Sequence, residues 1–159
     1  MAVEIIMKVG DIRGESETHQ ESQWIGVSSF SHGVVQDVTP ENMKIKRDKA
    51  GQPHFSFMTI RKKVDVSTPD ILIHCIKGIL IPKIEIKVFQ ASKDGKPLMT
   101  YTLENCFIAS ANAEGSDDTN EPMESVSFAY NKINLECTPL VSGQSLNKKY
   151  DLSTGDQVA

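Results

Sequence analysis

The sequence predicts an all-β protein: an antiparallel β-barrel of two packed sheets that carries one short α-helix. Three observations indicate this fold class. Apolar and polar residues alternate with a period of two in several segments, which is the pattern of half-buried strands. Residues that favour turns separate these segments at short spacing, as in sandwiches and barrels. One segment alone carries the start and stop signals of a helix.

The alternation is clearest in residues 4–9, 24–31, 54–64 and 83–89, where we predict strands. In the last of these segments Ile84, Ile86 and Val88 fall on one face, and charged residues occupy the positions between them. Asp94-Gly95 follows, and both residues tolerate the positive φ of a tight hairpin turn. We therefore expect the chain to return as an antiparallel strand.

That return strand is predicted over residues 98–110, and the last strand over residues 124–137. The inward register of the last strand switches between Tyr130 and Ile133, which indicates a bulge or bend near Asn131.

The exception to the alternation is the segment STPDILIHCIKG, residues 67–78. Ser67 or Thr68 can cap a helix here, and Pro69 suits the first helical position. Gly78 stands where a helix commonly ends, and Leu72, Cys75 and Ile76 form an apolar stripe at helical spacing. The spacing predicts one short helix over about residues 68–77 that covers an end of the sheets.

The length and composition of the chain fit a single soluble domain. The chain has 159 residues, is 39% apolar and 24% charged, and carries a formal net charge of −4, so we expect no general affinity for nucleic acid. We place a barrel domain over residues 1–140 and a polar C-terminal tail, ordered only in part, over residues 141–159.

No apolar run approaches the roughly 20 residues of a membrane span, and the first residues do not resemble a secretory signal. We therefore expect synthesis in the cytoplasm and, if the protein leaves, export by a dedicated machine.

No motif of catalysis or metal binding stands out. Cys75, Cys106 and Cys137 are far apart and form no C-x-x-C pair, so we expect small buried side chains with reduced thiols. The histidines form no H-E-x-x-H motif, and the chain contains no G-x-S-x-G elbow and no P-loop. We assign no catalytic residue, no metal and no cofactor.

Two segments between strands carry opposite charge. The first, residues 36–53, contains Lys44, Lys46, Arg47 and Lys49. The second, residues 111–124, contains Asp117 and Asp118 among five acidic residues. Complementary patches on identical subunits can meet head to tail, although two solvated loops without contact explain the composition equally well.

The first third of the chain resembles the hemolysin-coregulated protein (Hcp) family of type VI secretion systems. The family pattern is a strand, a K-[IV]-G-D-[IV]-[KR]-G-E-S connector, a histidine, and a strand that ends in an aromatic residue, serine, a large residue and glycine. The matching residues are Lys8, Val9, Gly10, Asp11, Ile12, Arg13, Gly14, Glu15, Ser16, His19, Phe30, Ser31, His32 and Gly33. Residues 64–78, 128–139 and 150–155 continue the resemblance, which thus covers nearly the whole chain. The chain departs from the pattern in residues 39–51, where many relatives have a glycine-rich run.

This resemblance implies a non-enzymatic, ring-forming protein. Members of the family assemble as homohexameric rings that stack into the inner tube of a contractile injection machine. They are secreted with the tube, work with sheath and spike proteins, and can shelter effector proteins in the lumen. From its place in the motif, Ser31 is our candidate for a lumen-facing residue, the alternative being an ordinary strand serine. Lys44, Lys46, Arg47 and Lys49 are candidates for ring-to-ring contact, with Asp117 and Asp118 as partners.

Two other functions remain as alternatives. The chain would also suit a monomeric β-barrel that binds a small ligand in its core. A small hydrolase that uses His32 or His54 is the second alternative. Mass in solution separates the first alternative from a ring, and activity screens with a His32→Ala variant address the second.

Overall fold

The computed structural model describes residues 3–18, 21–38, 40, 52–90, 95–118, 121–139, 144–153 and 156–158. Within these ranges the chain forms thirteen strands and one helix. The strands are β1 (Val3–Val9), β2 (Ser16–Thr18), β3 (Glu21–Val27), β4 (Ser29–Ser31), β5 (Val34–Gln36), β6 (Pro53–Phe55), β7 (Met58–Lys63), β8 (Ile81–Gln90), β9 (Met99–Glu114), β10 (Met123–Ala129), β11 (Lys132–Cys137), β12 (Leu146–Asp151) and β13 (Asp156–Val158). The helix is α1 (Thr68–Lys77). The predicted all-β class with one short helix is confirmed.

The strands build two antiparallel layers that share the long strand β9. One layer has the order β13-β12-β11-β9-β8-β1-β3-β2, and the other runs β4-β7-β10-β9. The first half of β9 pairs with β8 and β11, whereas its second half pairs with β10. A short hairpin of β5 and β6 shares no hydrogen-bond ladder with either layer, although Phe55 of β6 packs against the core and against Tyr150 of β12.

The barrel is not closed by hydrogen bonds among the described strands. At the corner opposite β9 the layers are joined by the chain itself, which passes from β3 to β4 through Ser28. The Ser28 N–H donates to the Arg61 carbonyl oxygen at 2.7 Å. The predicted arrangement of two packed sheets therefore holds, and at this corner the continuous chain and its contact with β7 replace a strand ladder between the layers.

The main hydrophobic core lies between the two layers. It takes the inward positions of the alternating strands, so the predicted inward residues Ile84, Ile86 and Val88 are all buried. A second, small core of Ile6, Trp24 and Phe89 covers the other face of β1, β3 and β8. Each of these strands is therefore apolar at some positions on both faces, as expected of strands covered on two sides.

Helix α1 has the predicted bounds. Pro69 lies in its first turn, and Gly78 ends it with φ +61°, a conformation that glycine adopts without strain. The predicted apolar stripe is wrong in part, because Leu72 and Ile76 are 49% and 68% exposed. The residue that α1 buries completely is Ile71, on the side that packs against β9.

The end of the chain takes part in the sheet. The predicted bend near Asn131 is where the chain leaves β10 for β11, and the Asn131 N–H donates to the Glu104 carbonyl oxygen at 3.1 Å. Strand β12 then pairs with β11 over its whole length, and β13 pairs with β12. The predicted polar tail, residues 141–159, thus contributes two strands that its composition did not indicate.

Candidate functional site

One face of the β4-β7-β10-β9 layer is covered by small polar side chains. Strand alternation sends Phe30, Ile60 and Val126 into the core, and their neighbours in sequence therefore point to the opposite face. We call this surface the polar sheet face. Its members are Ser29, Ser31, Thr59, Arg61, Ser110, Asn112, Ser125 and Ser127.

The register of the strands arranges these residues in two rows across the sheet. The first row is Ser29, Arg61, Ser125 and Asn112, and the second row is Ser31, Thr59, Ser127 and Ser110. Within the second row, the hydroxyl oxygens of Thr59 and Ser127 lie 3.0 Å apart and form a hydrogen bond. Each row is thus a continuous strip of hydrogen-bonding groups directed away from the core.

Ser31 lies in this surface. It is exposed on β4, directly opposite Thr59 of β7. Because β4 pairs only with β7 among the described strands, Ser31 stands at the margin of the layer. Its position suits contact with another molecule, while its role in a lumen stays a prediction.

His32 follows β4 and takes part in an aromatic cluster. Its Nε2 lies 2.5 Å from the Tyr130 hydroxyl oxygen, and the Tyr130 O–H donates to the Ser56 carbonyl at 3.0 Å. The rings of His32 and Tyr101 meet edge to face at 5.6 Å. Burial lowers the pKa of His32, and burial followed by the nearby Tyr101 raises the pKa of Tyr130 to about 12.

This cluster has the geometry of a structural support. The Ser56 Oγ donates to the Gly33 carbonyl oxygen at 2.9 Å and accepts the Gly33 N–H at 2.8 Å. The Ser56 hydroxyl is therefore bound to the backbone at the foot of the β5–β6 hairpin. His54, the other histidine of the hydrolase alternative, is exposed on β6 opposite Val35. Over the ranges that the structure describes, no hydrogen bond joins a histidine ring to a serine or cysteine nucleophile.

A buried charged cluster lies where β7 meets α1. The Lys62 side chain is fully buried, and its Nζ donates to Glu124 Oε1, to Asp65 Oδ1 at 3.0 Å and to the Lys63 carbonyl at 2.9 Å. Thr68, the first residue of α1, donates its hydroxyl to Glu124 Oε1 at 3.0 Å. The cluster ties β7, β10 and the start of the helix together.

This cluster was not predicted from the sequence, although the sequence contains a signal for it. Lys62 follows Met58 and Ile60 at the inward period of β7, and Glu124 precedes Val126 at the same period in β10. Two charged residues at inward positions of neighbouring strands predict a buried ion pair, since an unpaired charge there would be costly.

Of the residues predicted to join rings, Lys44, Lys46, Arg47 and Lys49 lie outside the described residues. Asp117 and Asp118 lie in the exposed turn between β9 and β10, where the Asp118 N–H donates to Ser116 Oγ at 3.2 Å. The proposed contact between the two charged segments stays a prediction.

Of the three cysteines, Cys106 is buried as predicted, Cys75 is half-buried and Cys137 is exposed, so the predicted burial is wrong for Cys137. Across the ranges given above, no three His, Cys, Asp or Glu side chains are grouped so that they could hold a metal ion. None of the helical structure in those ranges has the length and apolar character needed to cross a bilayer.

Comparison with known proteins identifies the same family that the sequence motifs resemble. The family described as "Type VI secretion system effector, Hcp" matches residues 6–137. The chain is 24% identical over 140 residues to "Protein hcp1" of Pseudomonas aeruginosa, which covers 87% of this chain and 85% of that protein. A solved structure described as "Structure of a type six secretion system protein" superposes with a TM-score of 0.92 at 20% identity, over 99% of this chain and 100% of that one. Hcp1 from Salmonella typhimurium gives a TM-score of 0.83 at 21% identity, with coverage of 99% and 100%.

Proposed function

The chain belongs to the Hcp family of type VI secretion systems, and we propose that it is a structural subunit of the inner tube. Six copies associate as a ring, rings stack into a tube, and effector proteins travel in the lumen. The protein is made in the cytoplasm and leaves the cell with the tube that the sheath expels. Its other partners are the spike and sheath proteins of the same machine. No catalytic residue is proposed.

The observation that carries this proposal is the polar sheet face. A curved layer with a hydrophobic core on one side needs water or a partner on the other side. Eight polar side chains in two rows form a surface that water can hydrate. A ring that turns this surface toward its axis has a hydrated lumen, and Ser31 is then a contact for cargo.

Stacking uses the two charged segments. Asp117 and Asp118 stand on an exposed turn and are free of any strand ladder in the described chain. Opposite the next ring they face Lys44, Lys46, Arg47 and Lys49. A head-to-tail contact of this kind does not close on itself, so it continues into a filament.

Microscopy and mass measurement of the purified protein test the assembly. We expect hollow rings in negative stain and, by native mass spectrometry, a species of about 106 kDa, six times the 17.6 kDa chain. A species of 17.6 kDa alone at high protein concentration would overturn the proposal in favour of the monomeric ligand-binding module. The Asp117→Asn/Asp118→Asn variant should still form rings but should form fewer stacks at low salt.

Secretion and cargo are tested in cells that carry the whole machine. The protein should appear in the culture supernatant only when the sheath can contract. With Ser31→Gln we expect the tube protein to be secreted normally, while at least one effector is lost from the supernatant. Ser22→Gln is the matched control, because Ser22 is exposed on β3 and lies outside the polar sheet face. Equal effector levels in the two variants would contradict a lumen role for Ser31.

A further inference from the structure

Arg61 is the only charged member of the polar sheet face. It stands in the first row between Ser29 and Ser125, and its side chain is exposed. Among the described residues no carboxylate forms an ion pair with it. The neighbouring Lys63 differs in this respect, because its Nζ lies 2.7 Å from Glu121 Oε2. Within the described part of the chain, this surface therefore presents one guanidinium that has no ion-pair partner.

Two exposed phenylalanines extend the same face beyond the second row. Phe107 is 43% exposed and lies opposite Ala129, which points away from the core. Phe57 is 54% exposed and directly precedes Met58, an inward residue of β7. Phe57 directly precedes the residue paired with Phe128, and Phe107 is paired with Ala129, the residue after Phe128, so β10 separates the two positions. Arg61 follows Phe57 by four residues, a span of at most about 14 Å in extended chain.

We propose that this surface selects protein cargo whose own surface places carboxylates beside apolar side chains. The inference rests on the proposed function, since it identifies the chemistry of the cargo that the lumen accepts. Arg61 offers a planar fork of donors that matches a carboxylate in two hydrogen bonds. Phe57 and Phe107 offer exposed apolar area near the same end of the layer. The small hydroxyl side chains between them allow close approach and form no barrier.

Repetition around the ring strengthens the selection. Six copies of Arg61 at one level of the lumen form a belt of positive charge in a ring whose subunits each carry a net charge of −4. Neighbouring belts raise the local concentration of an acidic partner and reject a basic one. Contacts made by several copies at once also multiply, so that weak individual contacts can hold a cargo protein.

Peptide binding to purified rings tests this inference. The probes are a short fluorescein-labelled peptide rich in glutamate and phenylalanine, a counterpart with glutamine in place of glutamate, and a single-stranded oligonucleotide. We expect the acidic peptide to bind at least tenfold more tightly than its glutamine counterpart, a difference of about 1.4 kcal/mol. Its affinity should fall as salt rises.

Variants at exposed positions assign the effect to residues. Arg61→Gln should remove the tenfold preference, and Arg13→Gln, an exposed arginine outside this face, should retain it. Phe57→Ser should weaken both peptides severalfold and leave their ratio unchanged. Circular dichroism and negative stain serve as controls for the folding and assembly of each variant.

The outcomes separate this inference from the proposed function. Rings that form normally but show the same preference in Arg61→Gln overturn the inference alone. Tighter binding of the oligonucleotide than of the acidic peptide also overturns it, because the belt would then serve nucleic acid. Absence of rings in the unmodified protein overturns both.

Discussion

Replacing Lys62 by methionine tests the role of the buried charged cluster. The Lys62 side chain is 0% exposed and that of Glu124 is 3% exposed, so neither can be solvated where it lies. The ammonium has three protons and three acceptors, on Glu124, Asp65 and the Lys63 backbone. Lys62→Met keeps most of the side-chain volume and removes the charge, which leaves two carboxylates facing each other.

The expected cost follows from this burial. Removing one partner of a buried ion pair destabilises a protein by about 3–5 kcal/mol, whereas replacing both partners by apolar residues is close to neutral. We therefore expect Lys62→Met to lower the free energy of unfolding by about 3–5 kcal/mol. The double variant Lys62→Met/Glu124→Leu should recover most of that loss, since Asp65 keeps the hydrogen bonds from Ser67.

Urea unfolding followed by tryptophan fluorescence measures the effect. Trp24 is the only tryptophan and is 5% exposed, so its emission reports loss of the core. With a slope of about 2 kcal/mol per molar urea, the midpoint should fall by about 1.5–2.5 M in the single variant. Protein concentration is held constant, because association shifts apparent stability.

The matched control is the next residue along the chain. Lys63 and Glu121 form an ion pair whose side chains are 63% and 53% exposed, so Lys63→Met should cost less than about 1 kcal/mol. A loss in Lys62→Met as small as that in Lys63→Met would refute the argument from burial. So would a double variant that is less stable than the single one.

Three further expectations concern other parts of the fold. Burial lowers the pKa of His32 below 6.5, so His32 binds a proton more readily in the unfolded chain than in the folded chain. The free energy of unfolding should therefore fall as the pH drops below about 6.5. In urea titrations at several pH values His32→Gln should show a smaller fall, and an unchanged profile would contradict a role for His32. Burial raises the pKa of Cys106 to about 12, so a thiol reagent should label Cys106 only after unfolding, whereas exposed Cys137 should be labelled quickly. Rapid labelling of Cys106 in the native protein would count against its burial. A Cβ on Gly14 would lie 2.7 Å from an α-carbon of β3 and closer still to a carbonyl, whereas one on Gly26 meets no atom within 4 Å. Thermal unfolding should therefore show Gly14→Ala destabilised by more than about 3 kcal/mol and Gly26→Ala by less than about 1 kcal/mol, and equal melting temperatures would disprove the clash.

The sequence predicted those helices and strands whose start, end or register is determined by a few neighbouring residues. The bounds of α1 follow from Pro69 and Gly78, which fix its first turn and its last. Strand β8 follows from an alternation that continues without a break from Lys83 to Val88. The switch between β10 and β11 follows from the change of inward register near Asn131.

Features that depend on distant pairing were not predicted. Strand β12 is a polar segment that becomes a strand because β11 offers it an open edge, and no local pattern shows that edge. The prediction of which side of α1 faces inward was wrong in part. Leu72 and Ile71 are equally apolar, and only contact with β9 decides which of them is buried. The corner at Ser28 likewise depends on a hydrogen bond to the backbone carbonyl of Arg61, which is far away in sequence.

Strand β7 shows how one segment serves both the fold and the proposed function. Its inward residues Met58, Ile60 and Lys62 hold the core and the buried cluster, and its outward residues Thr59 and Arg61 belong to the polar sheet face. Because the two sets alternate, neighbouring substitutions should act on different properties. Arg61→Gln should change which peptide is bound and leave the urea midpoint where it was, while Lys62→Met should move the midpoint. If both substitutions moved the midpoint equally, the face and the core would not be separable, and cargo selection would have to be assigned to another surface.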